Sequence, residues 1–232
     1  MEELEVLFRL GPFGITRTVV GTWGIMLMLG LGCRLATLRL SVDRPGLLQT
    51  ALEGVVQTIH GAIASVLPEH PDRLLPFVGT LWLFAVCANL LGLIPGLHAP
   101  TGDLSTTAAL AVLVFLSVHW FGIRASGWRR YLRHYVAPSP ILLPFHVLGE
   151  FSRTLALAIR LFGNIMSLEM AALLVLLVAG FLVPVPILML HVIEALVQAF
   201  ILGMLALIYI AGGMQSVADR ESPTPPPTGN AP

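Results

Sequence analysis

Apolar residues run along this chain in long stretches, and five of these are long enough to cross a bilayer: 18–38, 74–95, 104–123, 141–182 and 186–212. A hydrocarbon core of about 30 Å takes roughly twenty residues of helix. Segment 47–67 follows a different rule. Leu48, Ala51, Val55, Ile59, Ala62 and Val66 recur there at helical spacing, while Gln49, Glu53, Gln57 and His60 interrupt them. This stripe predicts an amphipathic helix, lying either on the membrane surface or against protein. The expected fold is an all-α integral membrane protein. It has five transmembrane helices and one interfacial amphipathic helix, and the last two spans form a long tilted hairpin.

On this pattern the chain divides into seven parts. An N-terminal segment (1–17) precedes the first transmembrane helix and its basic loop (18–46). The amphipathic helix and its loop (47–73) lead into a transmembrane hairpin (74–123), a second basic loop (124–140) and the long helical hairpin (141–212). The tail (213–232) ends in ESPTPPPTGNAP, which cannot build a core and is expected to be disordered. The first span is preceded by acids (Glu2, Glu3, Glu5), followed at once by Arg34, and lacks an A-x-A cleavage site, so it is expected to be retained.

Charge sets an orientation. Arg34, Arg39, Arg44 and Arg73 flank the connection after the first span, and Arg124, Arg129, Arg130 and Arg133 crowd the one after the third. The connections at 96–103 and 183–186 carry no Arg. The arginine-rich sides are expected to be cytoplasmic, with the N-terminus outside and the C-terminus inside. Composition agrees, since 56% of residues are hydrophobic and only 11% charged. Thirteen basic residues balance thirteen acids, which gives no sign of nucleic-acid binding. Cys33 and Cys87 lie within apolar runs and read as small core residues.

The chemistry is concentrated in the hairpin. A continuous helix over 141–182 would measure about 63 Å, roughly twice the hydrocarbon thickness, so it must tilt steeply or break. It carries Glu150, Arg153, Arg160, Asn164 and Glu169, and the following span carries His191, Glu194 and Gln198. Ionisable groups at membrane depth cost from about 2.5 kcal/mol upward, which makes them functional candidates. At about 100° per residue, Asn164 and Ser167 share a face with Arg160, whereas Glu169 lies opposite. Glu169, His191 and Glu194 can exchange protons and suit a relay toward the outer side. Arg160 stays protonated, which suits it to attracting a carboxylate on another subunit and to blocking ions.

The string RLFGN at 160–164, Glu169, and HVIEALVQAFI at 191–201 resemble the signature of subunit a of F-type ATP synthases. NLLGLIPG at 89–96 and PTGDLSTT at 100–107 resemble that family's second and third transmembrane helices and their outer loop. The resemblance implies that Arg160 faces the carboxylate of a rotating c-ring, with Gln198 beside it. It also implies that Glu169 and His191 line an outer half-channel, and that Asp103 and Ser105 are candidates for lining it. Ser105 stands where the family commonly has Asn, and Thr154 where it often has Pro. Glu194 is an additional acid whose role the resemblance leaves open.

On this resemblance the chain is a non-catalytic stator subunit carrying H⁺ or Na⁺ to and from ring carboxylates. Its implied partners are the c-ring, peripheral-stalk b subunits, the remaining synthase subunits and the lipid bilayer of a bacterial inner membrane. No cofactor, metal or nucleotide site is expected, for the chain has no phosphate-binding loop and no HExxH pattern. The alternative is a secondary ion transporter that works without a ring.

Overall fold

In the computed structural model, residues 6–10, 13–38, 40–41, 46–68, 71–94, 99–136, 143–179 and 184–218 are described. The order is β1 (Val6–Leu10), β2 (Phe13–Thr16), α1 (Arg17–Thr37), α2 (Leu47–Val66), α3 (Pro71–Leu91), a 3-10 turn (Pro100–Gly102), α4 (Leu104–Ser126), α5 (Trp128–Val136), α6 (Leu143–Ala179) and α7 (Pro184–Ala218). Five helices, α1, α3, α4, α6 and α7, are long and apolar enough to cross a membrane. The protein is an all-α membrane protein with one small β addition. That addition is an antiparallel hairpin, pairing Val6 with Thr16 and Leu10 with Phe13, which the apolar pattern had not suggested.

Two boundaries differ from the sequence reading. The basic loop 124–140 contains α5, a separate helix that begins after Gly127. Gly127 closes α4 by donating its N–H to the Ile123 carbonyl at 2.7 Å, and its own carbonyl accepts from Tyr131. Its φ of 81° is a conformation that favours glycine. α7 runs on to Ala218, past the expected limit at 212, and residues 219–232 of the expected tail lie outside the described residues. α6 is one unbroken helix of 37 residues, about 55 Å long. Breaking is therefore not how it fits a core of about 30 Å: the helix either tilts or extends beyond the core at residues 143–152.

The core lies between α3, α4, α6 and α7. Val78, Val114, Leu161, Ile165, Leu202, Leu207 and Ile210 are all within 2% of full burial. Between apolar helices in lipid, association rests on close van der Waals contact, and small residues permit it. Ala85, Ala88, Ala195, Ala199 and Ala206 are accordingly fully buried. α7 and α3 approach closely at Gly203, where a Cβ would lie 2.8 Å from Trp82 Cδ2. Only glycine leaves room for that indole.

The two outlying helices are loosely held. α1 buries only Ile25 and presents Leu27, Leu31 and Leu35 outward. α2 packs its second half through Ile59 and Ile63, while Leu47, Leu48, Leu52, Val55 and Val56 in its first half stay exposed. The stripe is thus packed on protein in the second half of the helix and exposed in the first.

Candidate ion-pathway site

α6 turns one face into the bundle, through Leu157, Ala158, Leu161, Ile165 and Leu168. Arg160 falls off the edge of that face and is exposed. Among the described residues it has no acidic partner. Beside it runs an exposed arc, about 60° wide, of small side chains: Gly149, Ser152, Ala156, Gly163 and Ser167. Nothing lies within 4 Å of a Cβ built on Gly149 or Gly163. The charge therefore sits on a smooth strip that another helix can approach closely.

Asn164 lies one turn past Arg160, about 40° round the helix toward the bundle. Its Nδ2 donates to Gln198 Oε1 at 2.8 Å, and Gln198 is only 1% exposed. This bond ties the two long helices at the level of the arginine. Gln198 is thus held in the contact between α6 and α7.

Glu169 is half-buried and reaches toward the chain at the end of α3 and the 3-10 turn. Its Oε1 would lie 3.4 Å from a Cβ at Gly92, and its Oε2 3.4 Å from one at Gly102. The two glycines leave this carboxylate its space. His191 is 3% exposed, with Nε2 unpartnered among the described residues. Glu194 is half-buried on the same helix. No hydrogen bond joins Glu169, His191 and Glu194 directly, so the expected relay is not a chain of side chains in contact.

The sequence reading missed two residues here. Asn89 of α3 is fully buried and donates Nδ2 to the Ala195 carbonyl at 3.1 Å, one turn along α7 from His191. Its Oδ1 is unpartnered among the described residues, as is the hydroxyl of fully buried Thr101. A buried polar atom without a partner costs about 1–3 kcal/mol, so three at one end of a bundle mark a polar region. Asn89 left a trace in the sequence, as a polar residue near the end of an apolar run. Thr101 left none.

Asp103 and Ser105, the candidate lining pair, are engaged in capping. Asp103 is the N-cap of α4 and accepts from the Ser105 N–H at 2.9 Å through Oδ1. This bond satisfies one of the free N–H groups at the start of the helix. Among the described residues no group of three His, Cys, Asp or Glu side chains could hold a metal ion.

Comparison with known proteins fits this layout. The family description "ATP synthase A chain" matches residues 19–211. ATP synthase subunit a 2 of Pelobacter propionicus is 64% identical over 223 residues, covering 96% of this chain and 97% of that protein. ATP synthase subunit a of Legionella pneumophila (Philadelphia 1) is 58% identical, covering 90% and 91%. ATP synthase subunit a 1 of Hahella chejuensis is 63% identical, covering 92% and 91%. With five membrane-length helices and a match over most of its length, the chain belongs to the ATP synthase A chain family and is a membrane-sector subunit of that complex.

Proposed function

We propose that this chain is the stator half of an ion-driven rotary device, providing two half-channels to the carboxylates of a rotating c-ring. The observation that carries this reading is Arg160, an exposed cation at the middle of α6, set beside a strip of small residues and lacking an acid partner among the described residues. In lipid such a charge costs from about 2.5 kcal/mol upward, so it calls for a partner carboxylate from outside the chain. A transporter working alone would be expected to pair the arginine within its own bundle.

The roles follow from charge and position. H⁺ or Na⁺ reaches the ring from the outer side past Glu169, His191, Asn89 and Thr101, whose free polar atoms suit a wet path. The ring carboxylate loads there and rotates away. On its return it meets Arg160, whose permanent charge favours the ionised carboxylate and so drives release. The same charge blocks a straight route between the two paths, so ions cross only as the ring turns. Asn164 and Gln198 brace α6 behind the arginine. Glu194 lies one turn from His191 and adds an acid to the outer path. We assign the N-terminus to the outer side and the C-terminus to the cytoplasmic side of a bacterial inner membrane, from the placement of arginine. The exposed apolar faces of α1 and α2 suit lipid and the stalk b subunits.

The test is reconstitution of the whole synthase in liposomes, with ATP-driven pumping followed by a pH dye and by a sodium tracer. Arg160→Ala is expected to abolish pumping while ATP hydrolysis by the detached catalytic sector continues, and the responding probe names the ion. Unchanged pumping in Arg160→Ala would overturn the reading.

A further inference from the structure

Arg160 is bracketed by two polar contacts between α6 and α7. On one side of it Asn164 donates to Gln198 Oε1 at 2.8 Å. On the other, the Arg153 guanidinium of α6 lies 4.6 Å from the centroid of the Tyr209 ring of α7. Asn164 and Arg153 are eleven residues apart on α6, and Gln198 and Tyr209 are eleven apart on α7 in the opposite sense. The two helices therefore run antiparallel in one register across about 16 Å, with Arg160 four residues from one contact and seven from the other. Eleven residues make close to three turns, so both contacts leave α6 on the same side.

Angles round α6 separate two faces. With Arg160 as origin and about 100° per residue, Arg153 falls about 20° and Asn164 about 40° to one side. The small residues Gly149, Ser152, Ala156, Gly163 and Ser167 fall about 20–80° to the other. Arg160 thus stands on the border between the side tied to α7 and the smooth side open to another helix. Little else fixes the rotation of α6. Of the four core helices it buries the smallest share of its membrane-length stretch, 17% against 50% for α7. Directional contacts weigh more on such a helix, and both ties are directional: a hydrogen bond needs alignment, and a cation is attracted to the face of a tyrosine ring.

We infer that Arg153, seated on the face of Tyr209, is a positioning residue: together with the Asn164–Gln198 bond it holds the rotation of α6 that presents Arg160 to the c-ring carboxylate. This rests on the proposed function above. A single tie leaves α6 free to turn or pivot about it, whereas two ties about 16 Å apart do not. With its side chains a helix has a radius of about 5–6 Å, so a turn of about 20° carries a side-chain tip by about 2 Å. Misplacement by about 1 Å already slows orientation-dependent chemistry by up to about 10²-fold. Arg153 acts through α6 and not on the ion, and no proton moves on it. Its guanidinium stays protonated, so the tie holds across the working pH range.

The test uses the whole complex in liposomes and reads ions pumped per ATP hydrolysed, with the amount of this subunit in each complex measured alongside. The variants are Arg153→Gln, Tyr209→Leu, their double, Tyr209→Phe and Arg160→Ala. Arg153→Gln and Tyr209→Leu are each expected to lower ions per ATP on the order of tenfold while the subunit stays at its parent amount. The double should be no worse than the worse single, because both remove one contact. Tyr209→Phe keeps the ring face and should couple like the parent. Where a first variant does not assemble, Arg153→Met or Tyr209→Met replaces it under the same criteria. Parent coupling in Tyr209→Leu would overturn the inference, as would losses that multiply in the double, a Tyr209→Phe as impaired as Tyr209→Leu, or losses accounted for by missing subunit. If Arg160→Ala pumps normally, the proposed function itself fails; if Arg160→Ala is dead and the Arg153 and Tyr209 variants couple as the parent does, the failure is confined to this inference.

Discussion

Asn164 of α6 donates to Gln198 of α7 at 2.8 Å, and this bond lies in a contact where Gln198 is almost wholly buried. Asn164→Ala removes the donor and leaves the Gln198 oxygen without its partner, at a cost of about 1–3 kcal/mol. Thermal inactivation of the purified complex should come at lower temperature, with weakened pumping. Gln198→Ala should do the same, and the double variant should lose less than the two single losses combined. Fully additive losses would mean that the two side chains act separately.

The space around Glu169 offers a second check. A Cβ at Gly102 meets Glu169 Oε2 at 3.4 Å, an ordinary contact. Gly102→Ala should therefore pump nearly as well as the parent. Gly102→Val adds two methyl groups against the carboxylate, an overpacking worth about 1–3 kcal/mol, and should slow pumping sharply. Parent rates in Gly102→Val would place the ion route away from this carboxylate.

Asp103 separates capping from conduction. Asp103→Asn keeps a side-chain oxygen for the Ser105 N–H and should pump normally. Asp103→Ala loses the cap at a cost of about 1 kcal/mol, visible as reduced thermal stability with pumping largely intact. A dead Asp103→Asn variant would show that the charge itself belongs to the ion route.

Gly203→Val is the structural control. Its side chain has no room beside Trp82, so α7 must move away from α3. The expected result is a complex less stable by about 1–3 kcal/mol, with pumping lost in proportion to the subunit lost from the complex. Stable complexes that no longer pump would give Gly203 a role beyond packing.

Much of this architecture is legible in the order of residues, because a bilayer allows few solutions. Each span of α1, α3, α4, α6 and α7 shows as an apolar run, since backbone groups in lipid must be satisfied within a helix. Arg160, Asn164 and Gln198 were legible because polar residues are rare in such runs. The environment of each group was not. The burial of Thr101 and the bond of Asn89 to the Ala195 carbonyl depend on segments far apart in sequence. α5 was hidden because WRRYLRHYV is too polar to read as a span, and the burial of its Tyr131 comes from packing on α4. The β1–β2 hairpin was hidden because short apolar runs fit strand and helix alike.

The contact of α3 with α7 also has a mechanical meaning. On the proposed function, a rotor pressing sideways on the strip beside Arg160 would load α6 first, and the load would pass to α7 through the tie between Asn164 and Gln198. From α7 it passes into α3, where Gly203 sits against Trp82 and Asn89 grips the Ala195 carbonyl. Only two interfaces separate the pushed surface from the back of the bundle. Close-packed interiors compress little and transmit strain. On the proposed function the bundle is therefore a stiff bearing, and any elastic twist between ion steps and catalytic steps would be stored in other parts of the machine.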